Sequence, residues 1–295
     1  MQIRPKSFGE NLNEWFRAMG RTWRTMLALC AIIYVPLGLL TTALLIIPGT
    51  LDAYFDLIGP DVELQTPAEL MEALGPLLWV GAIWTVLQLV ATVVIYIAAG
   101  RAVAASSAGV EETASGLLRF AWRRLGSGLG AGLILVVALV VSLTAVTLVG
   151  WGLVSALGAD FLPIFLTSVI ALTALTVIIW LGVGVSLYPQ TIAMTDAGAT
   201  ESLSSSFRLV RGRWWPTLGF ELVTGLVVSA VAQVLSFVLV PVLLIGLIAP
   251  AFLAVGYGLA TMLQGPVAAA MGLAYAVWYI DLQARETSLT SNDLT

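Results

Sequence analysis

Six long apolar runs leave this chain few ways to fold: Met26–Ile47, Leu77–Ala99, Gly128–Leu157, Leu162–Leu187, Thr217 to about Leu239, and Pro266–Leu282. A helix needs about 20 apolar residues to cross the roughly 30 Å hydrocarbon core of a bilayer. In lipid, only helices and closed barrels satisfy every backbone polar group. Of the 295 residues, 59% are hydrophobic and 10% charged, whereas a soluble surface usually needs about 25% charge. The expectation is an all-α polytopic membrane protein with six transmembrane helices. Arg4 and Lys6 precede a polar, amphipathic stretch rather than a short apolar core, so the first run reads as an anchor and not as a cleaved signal. Between the fifth and sixth runs, Val240–Gln264 carries Pro241, Pro250, Gly246, Gly256 and Gly258. Proline removes a helix donor and crowds the preceding turn, so a broken helix is expected there.

The basic residues set the topology. All 13 lie before the first run, between the second and third, between the fourth and fifth, or after the sixth. The loop 48–76 instead holds Asp52, Asp56, Asp61, Glu63, Glu69 and Glu72, and the turn Gly158–Phe161 holds Asp160. The positive-inside rule places both termini in the cytoplasm and makes 48–76 an acidic extracytoplasmic loop. Within that loop Thr66-Pro67-Ala68-Glu69 reads as the start of a short acidic helix. Residues 286–295 read as a flexible cytoplasmic tail.

A unit recurs three times, at about 7–99, 110–187 and 199–282. Glu10, Glu112 and Glu201 align, followed by Arg17, Arg119 and Arg208, then "RTWRTMLA", "RRLGSGLG" and "GRWWPTLG" ahead of an apolar run. Each copy reads as a cytoplasmic amphipathic interfacial helix followed by a transmembrane hairpin. Acid sits at the start of each surface helix, including a Ser7-x-x-Glu10 capping box, Glu111 with Glu112, and Glu201 after Thr200. Base sits at the end: Arg17, Arg21 and Arg24; Arg119, Arg123 and Arg124; Arg208, Arg211 and Arg213. Both placements complement the helix dipole. The apolar stripe of the first copy is Leu12, Trp15, Phe16, Met19 and Trp23, and the later copies carry Trp122 and then Trp214 and Trp215. Such helices rest at headgroup depth, and the arginines and tryptophans form a candidate site for anionic lipid headgroups.

Polar residues inside the apolar runs are the other candidates. Glu221 is a proton or cation site, or else it reaches headgroup water and pairs with Arg213 or a surface helix. Gln88, Gln233 and Gln264 read as hydrogen-bonding contacts between helices. The four-residue spacings Gly126/Gly130, Gly128/Gly132 and Ala268/Gly272/Ala276 predict close helix packing. There is no histidine, and the one cysteine, Cys30, lies in an apolar run. No metal-ligand cluster, nucleophile elbow, phosphate loop, cofactor motif or basic groove for nucleic acid is present.

"YPQTIAMTDAGATESLSSSFRLVRGRWWPTLG" (188–219) and "YIDLQARE" (279–286) resemble segments of the bacterial membrane-domain family named after glycerophosphodiester phosphodiesterase. Gln283 stands where those proteins usually carry arginine. In members that hydrolyse glycerophosphodiesters, a separate soluble barrel with essential histidine and metal-binding acids does the chemistry. This histidine-free chain has no counterpart of it, so the resemblance implies an integral, non-catalytic membrane domain. The expected role is a lipid-associated scaffold or accessory subunit of a membrane machine in the bacterial inner membrane. Its partners would be anionic membrane lipids, with room for a protein partner or a homo-oligomer. The alternative is a transporter or lipid-moving protein with its site between the repeats.

Overall fold

The computed structural model describes residues 5–47, 50–51, 67–158, 160–246 and 249–292, with the backbone alone at 67–73 and 288–292. The described residues are helical and contain no strand. Six helices are long and apolar enough to cross a membrane. In chain order the elements are α1 (Phe8–Ile46), α2 (Pro67–Ser107), α3 (Ala114–Arg123), α4 (Leu125–Leu157), α5 (Phe161–Val185), α6 (Tyr188–Thr195), α7 (Ala199–Arg211), α8 (Trp214–Phe237), α9 (Val240–Gly246) and α10 (Pro250–Asn292).

The first and last long helices form the spine. α1 and α10 run antiparallel from Lys6 beside Asp281 at one end to Thr42 beside Ala254 at the other. Between these contacts lie 36 residues on the first segment and 27 on α10, about 54 and 40 Å at 1.5 Å per residue, both beyond the hydrocarbon core. The contact is close because Gly258 and Gly265 of α10 face α1, while Gly272, seven residues further on, faces α2. A Cβ added at Gly265 would lie 2.9 Å from the Tyr34 ring, and one at Gly272 2.9 Å from Ala99 Cβ. At Gly258 it would clash with Thr42 and with the Gly38 carbonyl. α2 lies parallel to α10 and completes a central three-helix bundle.

The buried core sits at the end of this bundle that carries both chain termini, the basic end. There α2 buries Ile95, Ile97, Ala98, Ala99, Ala102 and Val103, and α10 buries Leu273 to Tyr279 almost without interruption. α3, α6 and α7 pack around the same end. α8 docks there through stacked Phe220 and Trp278, 4.7 Å between centroids, and a Trp278 Nε1–Thr217 Oγ1 hydrogen bond of 3.0 Å. The α4–α5 hairpin touches α2 near the basic end, where Gly128 meets Val93 and Gly132 meets Leu89. Beyond that it exposes most of its apolar side chains, as a lipid-facing hairpin must.

Several sequence expectations change in detail. The amphipathic segment 8–24 is continuous with the first span, because no proline or glycine lies between Arg21 and Pro36 to break the helix at the junction, unlike Gly212 and Pro216 after α7. Its stripe faces protein: Trp15 is fully buried and donates from Nε1 to Ala270 O at 2.9 Å, while Phe16 and Trp23 are exposed. The Ser7–Glu10 capping box forms. Glu111 and Glu112 precede α3, whose cap is Thr113, and Gly198 rather than Thr200 precedes the first residue of α7. The helix breaks at 238–239, just ahead of the 240–264 segment, and the segment itself divides between α9 and α10, as a broken helix does. Its second half is helix, and α10 passes through Pro266 without a break. The glycines read there as breakers are instead contact points, and Pro250 suits a first helical position. Pro67 begins a helix that runs through Pro76 to Ser107 rather than a separate short one; Thr66 and most of loop 48–76 lie outside the described residues. α10 continues to Asn292, through most of the stretch expected as a tail.

Gly258→Leu should lower the thermal unfolding midpoint in detergent, at about 1–3 kcal/mol for a wedged contact. Gly225→Leu, where an added carbon meets nothing within 4 Å, should not. Equal midpoints for the two variants would contradict the close α1–α10 contact.

Candidate functional site

The arginines predicted for lipid headgroups divide into two groups. In the first, intramolecular partners take the charge. Arg21 and Arg17 share Glu14 at 2.7 and 3.9 Å, and Arg24 lies over the Trp23 ring at 5.3 Å. Arg124 ion-pairs with Asp196, donates to Ile192 O, and stacks on Phe120 at 4.5 Å. It therefore rivets the α3–α4 corner to α6 instead of facing lipid. In the second group Arg119, Arg123, Arg208, Arg211 and Arg213 have no carboxylate partner among the described residues. Arg213 is half-buried and the other four are exposed.

Three tryptophans accompany them at the surface: Trp23, Trp122 and Trp215, the last 76% exposed. Trp214 is half-buried. Its Nε1 donates to Trp180 O at 3.0 Å, and its ring meets Trp215 edge-on at 4.8 Å. Between this α7–α8 corner and α5 opens a cavity of about 610 Å³, lined by Trp180, Arg211, Arg213, Trp214 and Trp215 among others. Four of the predicted headgroup residues thus share one cleft. Trp180 was invisible as a site residue in the sequence, since an aromatic inside an apolar run carries no local signal.

The intramembrane polar residues separate as well. Gln88 and Gln264 meet, Nε2 to Oε1 at 2.6 Å, tying α2 to α10. Beside them, toward the far end, lies an apolar cavity of about 430 Å³ walled by Thr41, Leu44, Val80, Trp84, Tyr257 and Gln264. Gln233 is exposed on α8 and bonds to none of the others. Glu221 has Ser186 within hydrogen-bond reach, and its charge bears on Tyr96 and Tyr275. Its Oε1 is buried without a partner, and it forms no ion pair with Arg213. The guanidinium and the carboxylate both lie near the start of α8, but Arg213 turns into the α5 cleft while Glu221 turns toward α5 and α10 one helical face away.

Two residues missed in the sequence organise the basic end. Gln190, wholly buried, donates from Nε2 to Gly272 O at 3.1 Å and Tyr96 O at 3.3 Å, and its Oε1 packs against Gly100 without a partner. Asp281, 2% exposed, accepts the Lys6 backbone N–H at 2.6 Å and Arg285 Nε at 2.7 Å. The Asp281/Arg285 spacing was the available signal for the second. Nothing in the sequence marks the first beyond a glutamine next to proline. Among the described residues no three Cys, Asp or Glu side chains converge as metal ligands.

Gln88→Leu alone should destabilise the protein by about 1 kcal/mol, since it strands the Gln264 amide. Adding Gln264→Leu should recover most of that loss, because removing both partners spares the orphan. Strictly additive losses in a thermal double-mutant cycle would show that the two side chains are uncoupled. In comparisons with known proteins, no family model, no curated protein and no solved structure matches this chain.

Proposed function

We infer that this is a non-enzymatic protein of the bacterial inner membrane with its basic end in the cytoplasm, where it associates with anionic phospholipid as a scaffold or accessory subunit. The observation that carries the reading is the set of five arginines with neither a carboxylate nor a ring partner among the described residues, beside exposed tryptophans. Guanidinium groups left unpaired at headgroup depth attract anionic lipid at about 1 kcal/mol each, and indole rings favour that same layer. In this reading residues 8–24, α3 and α7 are the three amphipathic segments of a tandem repeat, each ahead of a transmembrane hairpin. The resemblance of 188–219 and 279–286 to the membrane-domain family named after glycerophosphodiester phosphodiesterase supports the same non-catalytic reading.

A second reading, transport of a small molecule or lipid, draws on Glu221 with its unpartnered oxygen and on the Gln88–Gln264 pair beside a cavity. Unchanged flux in liposomes carrying Glu221→Gln and Gln264→Leu protein would remove those residues as a transport site.

Phosphatidylglycerol should raise the thermal midpoint of the detergent-solubilised protein more than phosphatidylcholine does. Replacing Arg119, Arg123, Arg208, Arg211 and Arg213 together by glutamine should abolish the difference. Equal stabilisation of the unaltered protein by both lipids would overturn the lipid-association reading.

A further inference from the structure

The unpaired cations are not equivalent. Arg119 and Arg123 are exposed on α3, and Arg208 is exposed on α7. Arg211 and Arg213 share the cleft formed where the chain turns from α7 into α8 against α5. Gly212, between them, caps the C-terminal end of α7, and the α8 helix begins at Trp214. The cleft has a chemical gradient along its length. At its mouth are the two guanidiniums and the exposed Trp215 ring. Its wall is Trp180, fixed by the Trp214 hydrogen bond and by edge-on contact with Phe207 at 5.1 Å. Further along α5, Val177 and Thr176 continue the wall in the direction of the apolar span. Its volume, about 610 Å³, lies within the roughly 300–1,000 Å³ of clefts that hold small ligands.

We propose that this cleft is a specific site for one anionic glycerophospholipid. Its phosphate is held between Arg211 and Arg213, its glycerol backbone lies against Trp180 and Trp215, and an acyl chain runs up α5 past Val177. The proposal rests on the lipid-association reading above and sharpens it from a diffuse belt to a single site. Two arguments select a phospholipid. Charge complementarity requires an anion, because two cations share the cleft with no carboxylate lining it. The apolar wall leading into the span requires that anion to carry a chain, since a free anion would leave the wall facing nothing it can pair with. Two guanidiniums also offer forked donors that match a phosphate better than a single point charge does.

The test uses the full chain in a neutral maltoside detergent, titrated with phosphatidylglycerol and read by native mass spectrometry as bound lipid per protein. R211Q/R213Q should weaken the tightest lipid-binding event by about 25-fold, about fivefold for each cation removed. R119Q/R123Q, which removes the same charge from α3, should change it less than threefold. Inorganic phosphate at millimolar concentration should not displace the lipid. Should R211Q/R213Q purify poorly, Trp215→Ala carries the test in its place, since that ring is mostly exposed and holds nothing in the core; it too should weaken the tight event while R119Q/R123Q does not. Equal weakening by the α3 and cleft variants overturns the site and leaves the diffuse belt standing. Displacement by inorganic phosphate overturns it in favour of a free-anion site. No effect of either pair overturns the site and the lipid-association reading together.

Discussion

Close packing of α1 against α10 organises the remainder of the molecule. In lipid there is no hydrophobic gain from bringing two apolar helices together, because acyl chains are as apolar as leucine. Association must come from van der Waals contact and hydrogen bonds, and both strengthen when backbones approach closely. Gly38, Gly258 and Gly265 allow that approach. Thr42 then donates across the contact to the Ala254 carbonyl at 3.3 Å, and Tyr34 and Cys30 fill the space left by Gly265. Because the pair joins the first helix to the last, every intervening element folds back between fixed ends. Asp281 secures the closure at the basic end by holding both the Lys6 amide and Arg285.

The uneven distribution of burial follows from the same physics. Water drives apolar side chains together, and water is present where the bundle leaves the bilayer. The long helices exceed the hydrocarbon core, and at the basic end α3, α6, α7 and the start of α8 gather around them into a packed core. Toward the far end the helices expose their leucines and valines, as lipid allows, and a cavity opens beside Gln88 and Gln264. Within the packed core Gln190 satisfies the carbonyls of Tyr96 and Gly272 on two separate helices.

Composition and run length made the helical class and the six crossings legible, and local chemistry made the Ser7–Glu10 cap and the contacts of Gly128, Gly132 and Gly272 legible. What the sequence concealed has identifiable causes. Proline and glycine mark breaks in water, whereas in a packed membrane helix they also mark approach: the 240–264 stretch read as a broken helix does divide, between α9 and α10, while Gly256 and Gly258 lie inside α10 as contact points. An amphipathic stripe does not say whether its apolar face meets lipid or protein. For 8–24 it meets α10, and only the burial of Trp15 and the bond to Ala270 reveal it. Glu221 and Arg213 stand eight residues apart, two helical turns and about 12 Å along the axis, and Arg213 precedes the first helical turn, so the ion pair considered from the sequence does not form.

Three segments of similar sequence have therefore reached different physical ends. In the first, docking on α10 brings Lys6, Arg17 and Arg21 around the single carboxylate of Glu14, and Arg24 lies over the Trp23 ring. In the second, Arg124 turns inward to Asp196 and only Arg119 and Arg123 remain at the surface. In the third, the acid stays at the start of α7, where Glu201 faces the Gly198 amide. That leaves no acid near the end of the helix, and all three arginines keep their full charge. Segments with three arginines each thus leave one, two and three of them without a carboxylate partner among the described residues: Arg24, then Arg119 and Arg123, then Arg208, Arg211 and Arg213. Charge count along the chain misses that distinction, and the fold expresses it.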